Sequence, residues 1–296
     1  MASALALVAA FLFALAAALQ QKGALNLPHV SLGDPRSLLR LAAQTMWLLG
    51  TVALLCGYVV QAAALDRGRL DVVQPLLVTT VVFALPLGVL LTGQHVGRRE
   101  WLGAAVIVVG LALFTLFGDP AGGRDTAPGR EWVAAIALLA AICAGLLGFG
   151  GRHEGPSMRA AVYGAVAGVL FGLSAALTKP TVDLLHDGLG VVLSHWELYA
   201  LGVAGGLGFV LQQVSLGTGR LAPSVATVSV ANPVVSVVLG VILFEERLSR
   251  PAWHVVVAVG GLALGLAGAV AISIAGETAA RADRMREPAV PVAVES

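Results

Sequence analysis

Apolar residues gather into nine stretches of about twenty, near 2–20, 44–65, 71–93, 101–118, 132–150, 159–178, 196–215, 221–244 and 252–275. A helix needs roughly 20 such residues to cross a ~30 Å hydrocarbon layer. The two-residue alternation of a membrane barrel is absent, so each stretch is predicted to be a spanning helix. Most polar connections between them are short, as at Asp66–Asp71 and Arg98–Glu100. The clearest linker is 119–131, DPAGGRDTAPGRE, rich in Pro, Gly and charge. Pro75 and Pro86 fall inside the third stretch and are predicted to bend it. A polar stretch carrying Pro28, Asp34 and Pro35 precedes a short segment near Ser37–Gln44, read as an interfacial helix, or as a tenth span if it inserts. After Ile274 the apolar stripe ends, and residues 277–296 are predicted to form a mobile cytoplasmic tail.

The stretches repeat. Residues 57–70, GYVVQAAALDRGRL, match residues 208–221, GFVLQQVSLGTGRL, without a gap and at seven of fourteen positions. The identities are Gly57/Gly208, Val59/Val210, Gln61/Gln212, Leu65/Leu216, Gly68/Gly219, Arg69/Arg220 and Leu70/Leu221. At the same offset of 151, Gly110–Leu113 matches Gly261–Leu264. One offset held over more than fifty residues marks an internal duplication. Within a single membrane domain, 1–118 is the first copy, 119–150 a linker with a spacer helix, and 158–275 the second copy. Four helices, a spacer and four helices give an offset of five spans. Corresponding helices then cross in opposite directions, the inverted repeat common among secondary transporters.

Composition agrees with a chain that mostly avoids water: 58% hydrophobic and 12% charged, against about 25% charged in soluble domains. Mean hydropathy is +0.89. Net charge is +1, so nothing draws the chain to nucleic acid. Cys56 and Cys143 lie in apolar spans and read as packed free thiols. The first stretch lacks a basic n-region and outruns a signal-peptide core, so it reads as a retained helix. With the N-terminus outside, the inner segments hold eleven Lys and Arg and the outer ones seven, favouring an outside N-terminus. The bias to Ala, Val, Leu and Arg suits a high-GC bacterium, and hence its inner membrane.

Candidate chemistry is sparse. The two lysines, Lys22 and Lys179, close FALAAALQQK and FGLSAALTK, equivalent places in the two copies. They could meet an anionic cargo group or snorkel to the interface. Gln61 and Gln212 place amides inside the bilayer, for cargo or for a helix–helix hydrogen bond. Asn232-Pro233 sits mid-span among Ser224, Thr227, Ser229 and Ser236, where proline frees a carbonyl to line a cavity. Gly164, Gly168 and Gly172 leave one helix face bare for close packing, and Gly202 and Gly206 repeat the spacing in the next helix. No metalloprotease, hydrolase or phosphate-loop motif occurs, and no metal site or cofactor is indicated.

Pro233, Glu246-Arg247-Leu248 and Gly260-Gly261 resemble the Pro…Glu-Arg-Leu…Gly signature of the EamA-like repeat of the drug/metabolite transporter superfamily. The resemblance spans about 1–275 and is sharpest in the second half; Gln94-His95-Val96 replaces Glu-Arg-Leu in the first. A second resemblance is to the NIPA-type magnesium transporters, through Lys22-Gly23, Trp47 and Gln74-Pro75-Leu76. The first resemblance implies ten helices and the second nine. Together they imply a carrier of a small metabolite, drug-like solute or cation, not an enzyme, working by alternating access. A divalent-cation carrier and a non-transporting scaffold are the rivals, and a homodimer is open.

Overall fold

The computed structural model describes the chain except residues 28–34, 68–69, 119, 122–123, 125–126, 153–154, 187, 246, 249–250 and 287–296. Pro28, Asp34, Gly68, Arg69, Asp119 and Glu246, singled out above, therefore lie outside the described residues. So do residues 287–296 of the expected tail.

The described residues form twelve helices. They are α1 (Ala2–Leu25), α2 (Pro35–Ala42), α3 (Thr45–Arg67), α4 (Leu70–Leu77), α5 (Thr80–Thr92), α6 (Arg98–Phe117), α7 (Gly129–Gly151), α8 (Pro156–His186), α9 (Leu189–Ser194), α10 (Trp196–Gly217), α11 (Leu221–Leu243) and α12 (Ala252–Arg286). Two-residue strands, β1 (Pro120–Ala121) and β2 (Arg247–Leu248), pair antiparallel. Among the described residues nine helical segments are long and apolar enough to cross a membrane, the third of them Pro75–Thr92, built from α4 and α5. The chain is an all-α, multi-pass membrane protein. At eight residues α2 is too short to be a tenth span.

Two boundaries differ from the sequence reading. The helix α12 continues to Arg286, where the polar composition suggested a tail. Its last turns carry Ala, Arg and Met, which propagate a helix without needing a core. The third span is interrupted by a turn between α4 and α5, three residues after Pro75. Thr79 and Thr80 donate their hydroxyls to the carbonyls of Leu76 and Leu77 at 2.6 and 2.7 Å. The Thr79 and Val81 amides shift to three-residue bonds with Leu76 and Val78. Side-chain competition for helical carbonyls unwinds a turn in this way.

Glycine contacts give the helix directions. Helices α6 and α12 approach until their backbones touch. A Cβ added at Gly110 would lie 2.5 Å from the Gly261 carbonyl oxygen, and one at Gly261 would lie 2.5 Å from that of Gly110. One end of this contact pairs Gly103 with Gly268 and Ile272. Residue numbers rise on one helix as they fall on the other, so the pair is antiparallel. Gly110 and Gly261 are also the positions matched by the duplication. Equivalent residues that meet each other mark a pseudo-two-fold axis, as an inverted repeat requires.

The same correspondence appears further out. Gly57 of α3 seats the Phe13 ring of α1, whose atoms a Cβ would meet at 2.7 Å. Gly208 of α10 seats the Phe171 ring of α8, at 3.0 Å. Helix α8 packs along α11 through Gly164, Gly168 and Gly172, which face Ser224, Thr227, Ala231 and Val235. Taking Phe13 and Phe171 as equivalent, the counterparts of these three glycines are Ala6, Ala10 and Ala14, all fully buried. Gly202 and Gly206 are different: no described residue of another element comes within 4 Å of a Cβ at either. Their spacing packs no described helix.

This contrast sets a test. Gly164→Ala should lower the melting temperature of the purified protein, because the added methyl meets Thr227 and the Ser224 carbonyl. Gly202→Ala should leave it unchanged or raise it, since alanine gains up to about 1 kcal/mol over glycine in an open helix. A loss at Gly202 instead would reveal a helix partner outside the chain.

Candidate substrate cavity

A cavity of about 1430 Å³ lies among α1, α3, α4, α5, α6, α8, α10 and α11, with walls from both copies. Of the residues singled out in sequence, Gln61, Gln212, Asn232 and Pro233 line it. Neither lysine is among the lining residues. Lys22 is half-buried at the end of α1. Lys179 donates to the Arg124 carbonyl at 3.4 Å and stands 5.1 Å over the Phe244 ring.

The duplicated stretch explains the lining. Gly57 and Gln61, and likewise Gly208 and Gln212, are one helical turn apart and share a face. The glycine admits a phenylalanine from the neighbouring helix, and the glutamine points beside it into the cavity. Each copy thus contributes one aromatic ring, Phe13 or Phe171, and one carboxamide. Phe114, Phe209 and Tyr58 add further rings, with Tyr58 packed edge-on to Phe13 at 5.1 Å. Thr80, Thr115, Ser174, Thr178, Ser229 and Ser236 supply hydroxyls. Sequence reading passed over Phe13 and Phe171, although they open the two stretches that end in lysine. An isolated phenylalanine in an apolar span carries no polar signal.

Backbone polarity also reaches the cavity. Pro233 has no N–H, so the Ser229 carbonyl lacks its usual helical donor, and both residues line the wall. Val78 and Thr80, at the break in the third span, line it too. Freed carbonyls survive in a membrane where they border a polar space. The amides of Gln61 and Gln212 make no hydrogen bond to another described residue. Asn232 only accepts one, from Ser236 at 3.3 Å. Three carboxamides therefore face the cavity with donors to spare.

One turn beyond the wall residue Ala17, and next to Gln212, a mostly buried set of amides at the ends of α1, α5 and α10 forms a lid on the bundle. Trp47 Nε1 donates to Gln213 Oε1 at 2.8 Å, and Gln213 Nε2 donates to Gln20 Oε1 at 3.2 Å. The Gln94 amide meets that of Gln21 at 2.6 Å and accepts from the Leu221 N–H at 3.0 Å. Gln21 takes the Gln94 bond on its Oε1, and its Nε2 donates to the Leu216 carbonyl at 3.3 Å. Gln94 of the first copy thus caps the first turn of a helix in the second. Gln20 Nε2 is buried with no partner among the described residues, which carries a desolvation penalty. The wall residues on α8, Phe171 to Thr178, and on α11, Val225 to Val237, lie between this lid and the opposite end.

At that opposite end Arg124 ties the linker to the end of α11. Its backbone N–H donates to the Phe244 carbonyl and its Nε to that of Leu243, both at 2.7 Å. Its guanidinium pairs with Glu131 and, at 3.3 Å, with Glu245. These ion pairs are partly exposed and hold the loop rather than the fold.

The EamA-like transporter family model matches residues 1–116. An uncharacterized protein of Corynebacterium glutamicum is 30% identical over 254 residues, covering 83% of this chain and 88% of that protein. The chain belongs to the EamA-like transporter family. The family match falls on the first copy, whereas the signature legible by eye lies in the second. The probable magnesium transporter NIPA9 of Arabidopsis thaliana is 25% identical over 265 residues, covering 82% of this chain and 74% of that protein. No solved structure matches this EamA-like transporter. Its family consists of transporters.

Proposed function

We propose that this protein is a secondary carrier that moves a small solute across the inner membrane of a bacterium by alternating access. The observation that carries the reading is the polar cavity between the copies, walled by matched residues and with a hydrogen-bonded lid beside it. In an apolar bundle such a space has no packing role, because dispersion contacts are lost around it. The pseudo-two-fold relation supplies the second state: exchanging the conformations of the copies closes the far end and opens the lid. Repeat 1 comprises residues 1–118 and repeat 2 residues 158–275, with α7 as the spacer. The Lys and Arg balance places the N-terminus and the Arg124 end outside. The cargo path runs over Gln61, Gln212, Asn232 and Pro233. Lys22 and Lys179 stand at its margins, where long stems pack and charges reach polar groups.

A cation carrier is the rival, because the name of the Arabidopsis relative includes magnesium. Magnesium is held through carboxylates and retained water. The described lining offers amide and hydroxyl groups, which favours an organic solute.

Accessibility tests the carrier reading. Ser229→Cys, in protein with Cys56 and Cys143 replaced by alanine, should react with a membrane-impermeant thiol reagent from both faces of the membrane. Reaction from one face only, under all conditions, would leave a scaffold with a blind pocket.

A further inference from the structure

We infer that the cargo is uncharged and planar, with an amide-type edge that offers a hydrogen-bond donor beside an acceptor. The inference rests on the carrier reading and names the solute class of the same cavity.

Three observations carry it. First, the polar side chains of the described lining are carboxamides and hydroxyls, none of them ionised at neutral pH. A charged solute enclosed here would exchange its water for groups that supply no opposite charge, which disfavours it. Second, Gln61, Gln212 and Asn232 keep free amide donors in the cavity. A carboxamide is complementary to another amide: its oxygen accepts while its NH₂ donates, so both edges are satisfied at once. A carboxylate presents only acceptors and an amidinium only donors. Third, the rings of Phe13, Phe114, Phe171, Phe209 and Tyr58 border the same space. Aromatic faces favour a flat partner, stacked or edge-on, beyond the gain from burial alone. The duplication places a ring and an amide in each copy, so a cargo that one copy releases finds the same chemistry in the other.

Benzamide, benzoate and benzamidinium share one shape and differ in charge, which makes them the probe set. Binding is read on the purified full-length protein as a ligand-dependent rise in melting temperature, titrated to saturation. Benzamide should bind at least tenfold more tightly than either ion, and magnesium chloride should give no saturable shift at matched ionic strength. Gln61→Met and Gln212→Met should each weaken benzamide about tenfold, the loss of roughly one hydrogen bond to a desolvated partner. Gln61→Glu should move the preference to benzamidinium, a reversal that a purely structural glutamine would not produce. If benzoate or benzamidinium binds the unaltered protein as well as benzamide, or none of the three binds, the solute class is wrong. The carrier reading is judged separately, by two-sided labelling at Ser229→Cys in the same membranes.

Discussion

Gly110→Val will prevent this protein from folding stably. The glycine Cα faces backbone on the opposing helix: an added Cβ would lie 2.5 Å from the Gly261 carbonyl oxygen and 2.6 Å from the Gly265 nitrogen. Neither atom can rotate away, unlike a flexible side chain. Overpacking into side chains costs about 1–3 kcal/mol, and backbone against backbone belongs at or above the top of that range. Gly110→Ala, with one methyl, should still fold but melt roughly 6–12 °C lower, taking 2–4 °C per kcal/mol for a chain of this size. Gly261→Ala should cost as much. The double variant should cost less than the sum, because one separation of the helices accommodates both methyls. Gly260→Ala is the control: a Cβ there meets nothing within 4 Å. Equal losses at Gly260 and Gly261 would show that the helix pair is not packed as described.

The second large effect is expected at the lid. Gln94→Ala removes the contact with Gln21 at 2.6 Å and the bond from the Leu221 N–H at 3.0 Å, both of which join the first copy to the second. At about 0.5–1.5 kcal/mol each, the two losses shift the balance toward the open lid by roughly 5- to 150-fold. A cysteine at Ala17, which lines the cavity on α1, reports the shift in protein lacking Cys56 and Cys143. Its reaction with an impermeant reagent from the lid side should accelerate about tenfold or more. Gln213→Leu should act in the same direction, since it strips Trp47 of its acceptor and Gln20 of its donor. Unchanged reactivity in both variants would mean that the glutamines hold the fold without gating the cavity. That outcome would leave the lid without a mechanism for opening.

The two predictions draw on different parts of the sequence. Gly110 and Gly261 were visible as a matched pair, although their contact was not. Gln94 looked like a degenerate replacement for glutamate in the family turn. Folded, it caps a helix of the other copy, so the departure from the signature has a structural use. The Gly164, Gly168 and Gly172 face was legible from spacing alone. Identical spacing at Gly202 and Gly206 packs no described helix, because a bare helix face shows only that a neighbour could approach.

What the sequence by itself determined is the nine long spans, the duplication and the inversion. These follow from run length, a shared offset and the parity of the helices between the copies, which hold whatever the packing. It also put amides in the cavity region, because polar groups in apolar spans are few enough to stand out. Tertiary structure alone decided which face of each span meets cavity, neighbour or lipid. Gln212 lines the cavity while Gln213, next in the chain, is buried in the lid. About 100° of helical rotation separates them. In a soluble helix an apolar stripe would reveal that rotation. Here lipid-facing and core-facing positions are equally apolar, so only the packed bundle distinguishes them.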